Sequence, residues 1–241
     1  MGAERSMERG VVTSRERSVR LAVVLVGLAL WFLTQSLIGS RELPESAQDA
    51  GKALTGGDGL LALTEPIHRL LLENARWADA LLVVSSAVID LLALFLIGSA
   101  LLGRSLRPFV GLILLFSLRQ LCQALMALPA PEGMIWRNPG FPSLLVTYGV
   151  ANDFFFSGHT AIAVYGATEV ARLGGRFALA IATLIALFEA TTVIVLRAHY
   201  TMDVFTGALV ALFVSFVVGR LAPRCDRWIA RLVGESRRPA S

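Results

Sequence analysis

The stretch FALAIATLIALFEATTVIVLRAHYTMDVFTGALVALFVSFVVGRL, residues 177–221, places a short polar segment between two long apolar runs. Each run, Phe177–Leu196 and Val204–Leu221, is long enough to cross the roughly 30 Å hydrocarbon core of a bilayer as a helix. The polar segment between them would then lie at a membrane surface. In it, His199 and Asp203 are four positions apart, so on a helix they would share one face and could touch.

The composition of the whole chain extends this interpretation. Its 241 residues are 55% hydrophobic and its mean hydropathy is +0.66, values typical of a polytopic membrane protein rather than of a soluble domain. The first apolar run of the chain, Leu21–Ile38, could also be a signal peptide, but the length of this run favours a retained helix. Four further runs complete a predicted all-α bundle of six transmembrane helices: Leu21–Ile38, Ala80–Leu102, Phe109–Leu128 and Phe154–Val170.

The predicted domain organisation is a single membrane unit with polar ends. Residues 1–20 form an N-terminal segment, residues 21–221 the membrane domain and residues 222–241 a basic tail. Of the 22 Lys and Arg residues, 15 fall on the side that holds both termini and 6 on the other side, while Arg119 falls within a span. The positive-inside rule therefore predicts cytoplasmic termini. The charge of +4 reports topology, so we expect no nucleic-acid partner.

This topology brings a second histidine to the same outer membrane face. His159 opens the fourth predicted span, and His199 with Asp203 lies between the fifth and sixth. One imidazole can attack phosphorus and form a phosphohistidine, while a neighbouring carboxylate orients it. We therefore predict His199 as the nucleophile, Asp203 as its orienting group and His159 as the general acid and base.

The residues around these three predict a phosphate-binding site. Ser157 and Gly158 at a helix start offer backbone N–H groups and a positive dipole end to a phosphate. Arg197 would supply a cation to the phosphate or anchor a lipid headgroup, and Asp153 would help to shape the site or cap the fourth predicted helix. Arg119 lies mid-span, where an arginine is normally paired or functional; contact with the phosphate and a structural pair with Asp90 are both consistent with its position.

Three other polar residues are assigned structural roles. His68 is predicted to be an interfacial histidine without chemistry, on a surface helix whose apolar stripe comprises Ile67, Leu70, Leu71 and Trp77. Glu189, within the fifth span, is predicted to make a buried polar contact, and Glu169 a structural one.

The two histidine motifs carry a family resemblance. Asp153-x-x-x-Ser157-Gly158-His159-Thr160 and His199-Tyr200-Thr201-x-Asp203-Val204 resemble those of the type 2 phosphatidic acid phosphatase superfamily, and more closely its sphingomyelin synthase-like branch. The resemblance covers roughly residues 104–215 and includes Arg119 in a span that ends in Leu-Pro. Ala151-Asn152 departs from the Cys-Gly that this branch places before its first aspartate. The resemblance implies six helices, an outward-facing site, no metal or cofactor, and a lipid phosphoester substrate.

Three functions follow as hypotheses. The first is a membrane phosphotransferase that moves a phosphorylated headgroup between lipids, sphingolipids included, through a phosphohistidine. The second is a lipid-phosphate or polyprenyl-phosphate phosphatase that uses the same residues with water as acceptor. The third is a non-enzymatic lipid carrier or scramblase. In each case the partners are membrane lipids, and we expect the protein in a cytoplasmic or plasma membrane with its site on the extracytoplasmic face.

Overall fold

A computed structural model describes residues 13–40, 46–140, 142–146, 148 and 154–233 of the chain. Over these residues the protein is all-helical, as predicted. The helices in chain order are α1 (Ser14–Gly39), α2 (Ser46–Gly57), α3 (Gly59–Leu63), α4 (Glu65–Glu73), α5 (Ala75–Leu102), α6 (Arg107–Leu125), α7 (Gly158–Ala171), α8 (Gly175–Val195) and α9 (Thr201–Leu232).

Within the described residues, five helices are long and apolar enough to span a bilayer: α1, α5, α6, α8 and α9. The chain is therefore a multi-pass integral membrane protein. The fourth predicted span is shorter than expected, because Ser157 caps the helix and α7 begins only at Gly158. Its 14 residues rise about 21 Å at 1.5 Å per residue, less than the hydrocarbon thickness. The predicted count of six spans is therefore not confirmed.

The short helix α7 is the centre of the bundle. It contacts α5, α6, α8 and α9, and most of its side chains are buried. Two neighbouring helices approach it closely where one partner is glycine. A Cβ on Gly111 would lie 1.9 Å from the hydroxyl of Tyr165, and one on Gly166 would lie 2.9 Å from a methyl carbon of Leu92. These close contacts require glycine and hold α7 in place between α5 and α6.

The beginning of α1 and the end of α9 lie at one end of the bundle. There Nη1 of Arg15 donates to the carbonyl of Val233 at 3.1 Å. Near the last turn of α7 at this end, Glu169 forms a buried ion pair with Arg107 at 2.9 Å, in keeping with the structural role predicted for it. The first turn of α7, with His159, is therefore at the opposite end. Which end faces the cytoplasm stays a prediction.

The carboxylate of Asp58 joins the start of α3 to the start of α9. Oδ1 of Asp58 accepts hydrogen bonds from the backbone N–H groups of Leu60 and Leu61, and its Oδ2 accepts one from Thr201 N at 2.7 Å. The Thr201 hydroxyl adds a fourth bond at 2.5 Å. Burial opposes the charged form, but these hydrogen bonds outweigh it and hold the pKa of Asp58 below its usual value. Asp58 thus caps two helices at once and ties α3 to α9.

The surface helix α4 differs from the prediction at two positions. Ile67 and Leu70 are exposed, as a membrane-facing stripe requires, but Leu71 is buried in the bundle. His68 is only 1% exposed, and its Nδ1 lies 2.9 Å from the carbonyl oxygen of Val195. The interfacial placement predicted for His68 is therefore wrong, because this hydrogen bond draws the imidazole inward and attaches α4 to the last turn of α8.

Burial of His68 predicts an acid-sensitive fold. Burial disfavours the imidazolium and lowers the pKa of His68 below the ordinary value of 6.5. The unfolded chain then binds a proton below pH 6.5 that the folded chain does not. His68 therefore does not lower the free energy of unfolding above pH 6.5. Below pH 6.5 the free energy of unfolding decreases as the pH falls, by at most about 1.4 kcal/mol per pH unit.

The measurement is thermal unfolding in detergent between pH 8 and pH 5. We expect the His68→Asn variant, whose amide can still donate to Val195 O, to lose less stability than the wild type over this range. Equal losses in the two proteins would show that His68 does not cause the acid sensitivity.

Candidate active site

The two histidine motifs meet at one cavity, although 40 positions separate His159 from His199 in the chain. Both imidazoles line it, together with Arg119 and Gly158. Its free volume is about 50 Å³, where a single water needs roughly 10–15 Å³. The cavity therefore has room for a small polar group but not for acyl chains.

His199 and Asp203 approach each other in a different way from the prediction. His199 precedes α9 instead of lying on it, because Tyr200 is the N-cap residue. The Asp203 carboxylate accepts the Tyr200 N–H at 3.1 Å, the reciprocal bond of a capping box. Its Oδ2 lies 3.7 Å from Nδ1 of His199, an ion-pair separation once the imidazole is charged. The pair is thus held together by the helix cap and not by the face of one helix.

His159 lies in the first turn of α7, two residues after the N-cap residue Ser157. The Ser157 hydroxyl accepts the Thr160 N–H at 3.3 Å and so starts the helix. The His159 ring makes an edge contact with Trp136 at a centroid distance of 5.0 Å. Among the described residues its buried Nε2 has no hydrogen-bond partner. This nitrogen is therefore available to a group that enters the cavity.

Arg119 is the arginine that lines this cavity. Its Nε donates to the carbonyl of Phe156 at 2.9 Å, which places the guanidinium beside the start of α7. A Cβ at position 158 would lie 3.1 Å from that Nε and 3.3 Å from Cζ. Gly158 therefore provides the space that the guanidinium occupies. Of the two predicted roles of Arg119, a contact with the phosphate and a structural pair with Asp90, its position in the cavity favours the phosphate contact.

This packing predicts a moderate effect for Gly158→Ala. The added methyl group shifts the Arg119 guanidinium by a few tenths of an ångström, whereas a displacement of about 1 Å can cost on the order of 10²-fold in rate. We expect kcat/KM for headgroup transfer to fall by about tenfold or less. The matched control is Gly98→Ala within α5, where a Cβ meets nothing within 4 Å; the idea fails if the two variants have the same activity.

Arg197 does not line the cavity, unlike Arg119. Its backbone adopts the left-handed conformation with φ of +52°, rare for a residue other than glycine. Its guanidinium pairs with Glu65 of α4, and its Nη1 donates to the carbonyl of Glu132 at 3.0 Å. The side chain thus binds two segments that surround the site, and its predicted phosphate contact stays a prediction.

Asp90 and Glu189, two further polar residues singled out from the sequence, do not line the histidine cavity. The Asp90 carboxylate accepts the N–H groups of Leu144 at 2.7 Å and Leu145 at 3.0 Å, which gives it a structural role in the 142–146 segment. Asp153 lies outside the described residues. Glu189 accepts a hydrogen bond from the Ser85 hydroxyl at 2.6 Å, which is the buried polar contact predicted for it.

Sequence reasoning missed the aromatic wall of the cavity. Trp31 of α1 stacks on Phe116 of α6 with centroids 4.5 Å apart, and Phe154 makes an edge contact with His199 at 6.2 Å. These three rings and Trp136 all line the cavity. In the sequence they are scattered over more than 120 positions, within or beside apolar runs, so no local pattern marks them as a set.

Comparison with known proteins identifies a family for this chain. The family model described as AtPDCT1/2 matches residues 58–220, more than half of the chain. The chain belongs to this family. Its name denotes phosphatidylcholine:diacylglycerol cholinephosphotransferase, so the protein is an enzyme that acts on lipid phosphoesters, of the class that transfers lipid headgroups. No curated protein and no solved structure matches.

The family match corrects the resemblance stated from the motifs. The chain belongs to a family that is related to, but different from, the type 2 phosphatidic acid phosphatases and their sphingomyelin synthase-like branch. The resemblance rests on the short motifs around His159 and His199, whereas the family match extends over residues 58–220. A sphingolipid substrate is not confirmed, and the non-enzymatic carrier is excluded.

Proposed function

We propose that this protein transfers the phosphocholine headgroup of phosphatidylcholine to diacylglycerol through a phosphohistidine at His199. One observation carries the proposal: two imidazoles and the Arg119 guanidinium line one small cavity next to Asp203. A cationic cavity of this size suits a phosphodiester group and excludes the lipid tails. The family described above supports the identity of the headgroup.

In the first step, Nε2 of His199 attacks the phosphorus of the donor lipid. An N–P bond forms while the bond from phosphorus to the glycerol oxygen breaks, and His159 gives that oxygen a proton. Diacylglycerol leaves, and the imidazole now carries the phosphocholine group and a positive charge. Asp203, 3.7 Å from Nδ1, stabilises that charge, while Arg119 binds the phosphoryl oxygens.

In the second step, the hydroxyl of the acceptor lipid replaces the departed glycerol oxygen. His159, now neutral, takes the proton of that hydroxyl as its oxygen attacks phosphorus. The N–P bond breaks, and its electron pair returns to Nε2 of His199. Both histidines regain their starting protonation states, so the cycle needs no further reactant. Water in place of the acceptor would make the same residues a hydrolase that releases free phosphocholine.

The aromatic wall supports choline as the group beyond the phosphate. A quaternary ammonium donates no hydrogen bonds and is recognised by aromatic faces, each contributing about 0.5–2 kcal/mol. Four aromatic rings line the cavity, and among its described lining residues none is Asp or Glu. A primary ammonium would lose hydrogen bonds to water in such surroundings without replacing them.

Trp136→Leu is therefore expected to change headgroup selectivity. Loss of one aromatic face costs about tenfold in kcat/KM with a phosphatidylcholine donor. The loss should be smaller with phosphatidylethanolamine, whose ammonium gains less from the ring. Trp136→Phe keeps an aromatic face and should retain most of the selectivity. An equal loss with both donors for Trp136→Leu would show that this residue only shapes the cavity.

The test of the proposed function is a transfer assay with purified protein in mixed micelles. The donor carries an isotope-labelled phosphocholine group, and the acceptor is a diacylglycerol with distinguishable acyl chains. We expect labelled phosphatidylcholine with the acceptor's chains. Release of free phosphocholine as the sole product would favour the hydrolase, and the proposed transferase would be wrong. The extracytoplasmic face predicted for the site is tested separately, by labelling residues of the site from the outer side of sealed cells.

A further inference from the structure

A second cavity lies behind the catalytic pair, between the surface helices and the start of α9. It has a volume of about 590 Å³, within the range of small-molecule binding sites. Tyr200 and Asp203 line this second cavity, whereas Ala198 and His199 line the first. The His199–Asp203 pair therefore belongs to the partition between the two cavities.

The wall of the second cavity is apolar and open to the outside of the bundle. Leu54 of α2, Met126 at the end of α6 and Met202 of α9 are 45%, 54% and 62% exposed, although each is a large apolar side chain. In a membrane protein, such a surface beside span ends faces lipid. The apolar wall consists of Leu54, Leu60, Met126, Leu128, Phe155 and Met202.

The two cavities have opposite charge. The first is lined by Arg119, His159 and His199, and the second by Asp58 and Asp203 without any Lys, Arg or His among its described lining residues. A phosphate group in the second cavity would be repelled by both carboxylates at short range. A ligand of this cavity therefore carries no phosphate there.

The two carboxylates do not call for a cationic ligand either. Asp58 and Asp203 each lie at a helix N-terminus, where the helix dipole opposes their charge. Asp58 already accepts four hydrogen bonds, and Asp203 accepts one from the Tyr200 N–H and faces His199. Both carboxylates at the polar end of the cavity are thus already hydrogen-bonded or paired, and the hydrogen-bonding groups beside them, the Thr201 hydroxyl among them, suit an uncharged ligand.

We propose that this cavity binds an uncharged lipid alcohol, with an acyl chain along the apolar wall and its hydroxyl head at Thr201. The cavity then holds the tails that the first cavity cannot contain. It provides a waiting site for the acceptor lipid beside the reacting pair, and the acceptor hydroxyl attacks phosphorus only after it has moved past the His199–Asp203 partition into the first cavity. The role of this lipid as the acceptor rests on the proposed function, but its binding in the second cavity does not.

The test is photolabelling with a diacylglycerol that carries a photoreactive group in one acyl chain. It is carried out on His199→Ala protein in phosphatidylcholine micelles, so that labelling does not depend on turnover. We expect labelled peptides from residues 54–60, 126–128 and 200–205. Unlabelled diacylglycerol should compete at least tenfold better than added phosphatidylcholine.

Met202→Trp fills the cavity and should reduce the labelling at least fivefold. The matched control is Leu209→Trp, two turns further along α9, which is 51% exposed and does not line the cavity; its labelling should equal that of the parent. In the active protein, Met202→Trp should raise the KM for diacylglycerol more than it lowers kcat. Equal competition by phosphatidylcholine, or equal labelling of the two tryptophan variants, would identify a non-specific lipid-facing surface and overturn the proposal. A failed transfer assay with specific labelling would instead contradict only the proposed function.

Discussion

Replacing His199 by alanine is expected to lower headgroup transfer by about 10⁴-fold or more, because the variant lacks the imidazole proposed to form the covalent intermediate. In the wild type, a donor with labelled phosphorus should leave acid-labile, alkali-stable label on the protein when the acceptor is omitted. The His199→Ala variant should carry none. The measurement combines initial rates in mixed micelles with quenched labelling of the protein.

His159→Ala separates the two histidines. It removes the acid and base but leaves the nucleophile, so we expect slow, residual labelling of His199 and transfer reduced by about 10²–10⁴-fold. His68→Asn is the control, because His68 lies outside the cavity and should label normally at neutral pH. Label that persists in His199→Ala protein and disappears in His159→Ala protein would reverse the two assignments.

Arg119→Gln should lower kcat/KM by about 10²–10³-fold, the usual effect of removing a group that stabilises developing charge. Its guanidinium lines the cavity beside Gly158 and both histidines. Arg119→Lys should recover little, since an ammonium lacks the planar fork that both bonds Phe156 and binds phosphoryl oxygens.

Arg197→Gln provides the comparison, since both arginines are candidates for binding the phosphate. We expect a loss below about tenfold, because Arg197 pairs with Glu65 and Glu132 O instead of lining the cavity. If it acts through Glu65, the double variant with Glu65→Gln should be no worse than either single variant. A loss as large as that of Arg119→Gln, additive with Glu65→Gln, would support the phosphate contact predicted from the sequence.

The difference between these arginines shows where local sequence stops being informative. Arg197 is two positions from His199, so proximity in the chain suggested a shared site. Its direction, however, is set by Glu65, 132 positions away, and by a left-handed backbone conformation. Arg119 is far from either motif in the sequence, and only the packing of α6 against α7 brings it to the cavity.

The pair His199 and Asp203 could be predicted as neighbours, but for a different physical reason. Their four-residue spacing predicts that they share one face of a helix, whereas a capping box at the start of α9 brings the side chains together. Likewise, hydropathy predicted the fourth span at Phe154–Val170. Most side chains of α7 are buried against α5, α6, α8 and α9, so burial within the protein by itself accounts for an apolar run here.

The sequence by itself determined that the protein is helical and spans a membrane, and which two histidines and which carboxylate are the candidate catalytic groups. These properties depend on hydropathy and on short motifs, both of which are local in the chain. The tertiary structure decided which arginine lines the cavity, placed four aromatic rings on its wall and formed the second cavity behind Asp203. These features depend on contacts between helices that are distant in the chain, and such contacts leave no local pattern in the sequence.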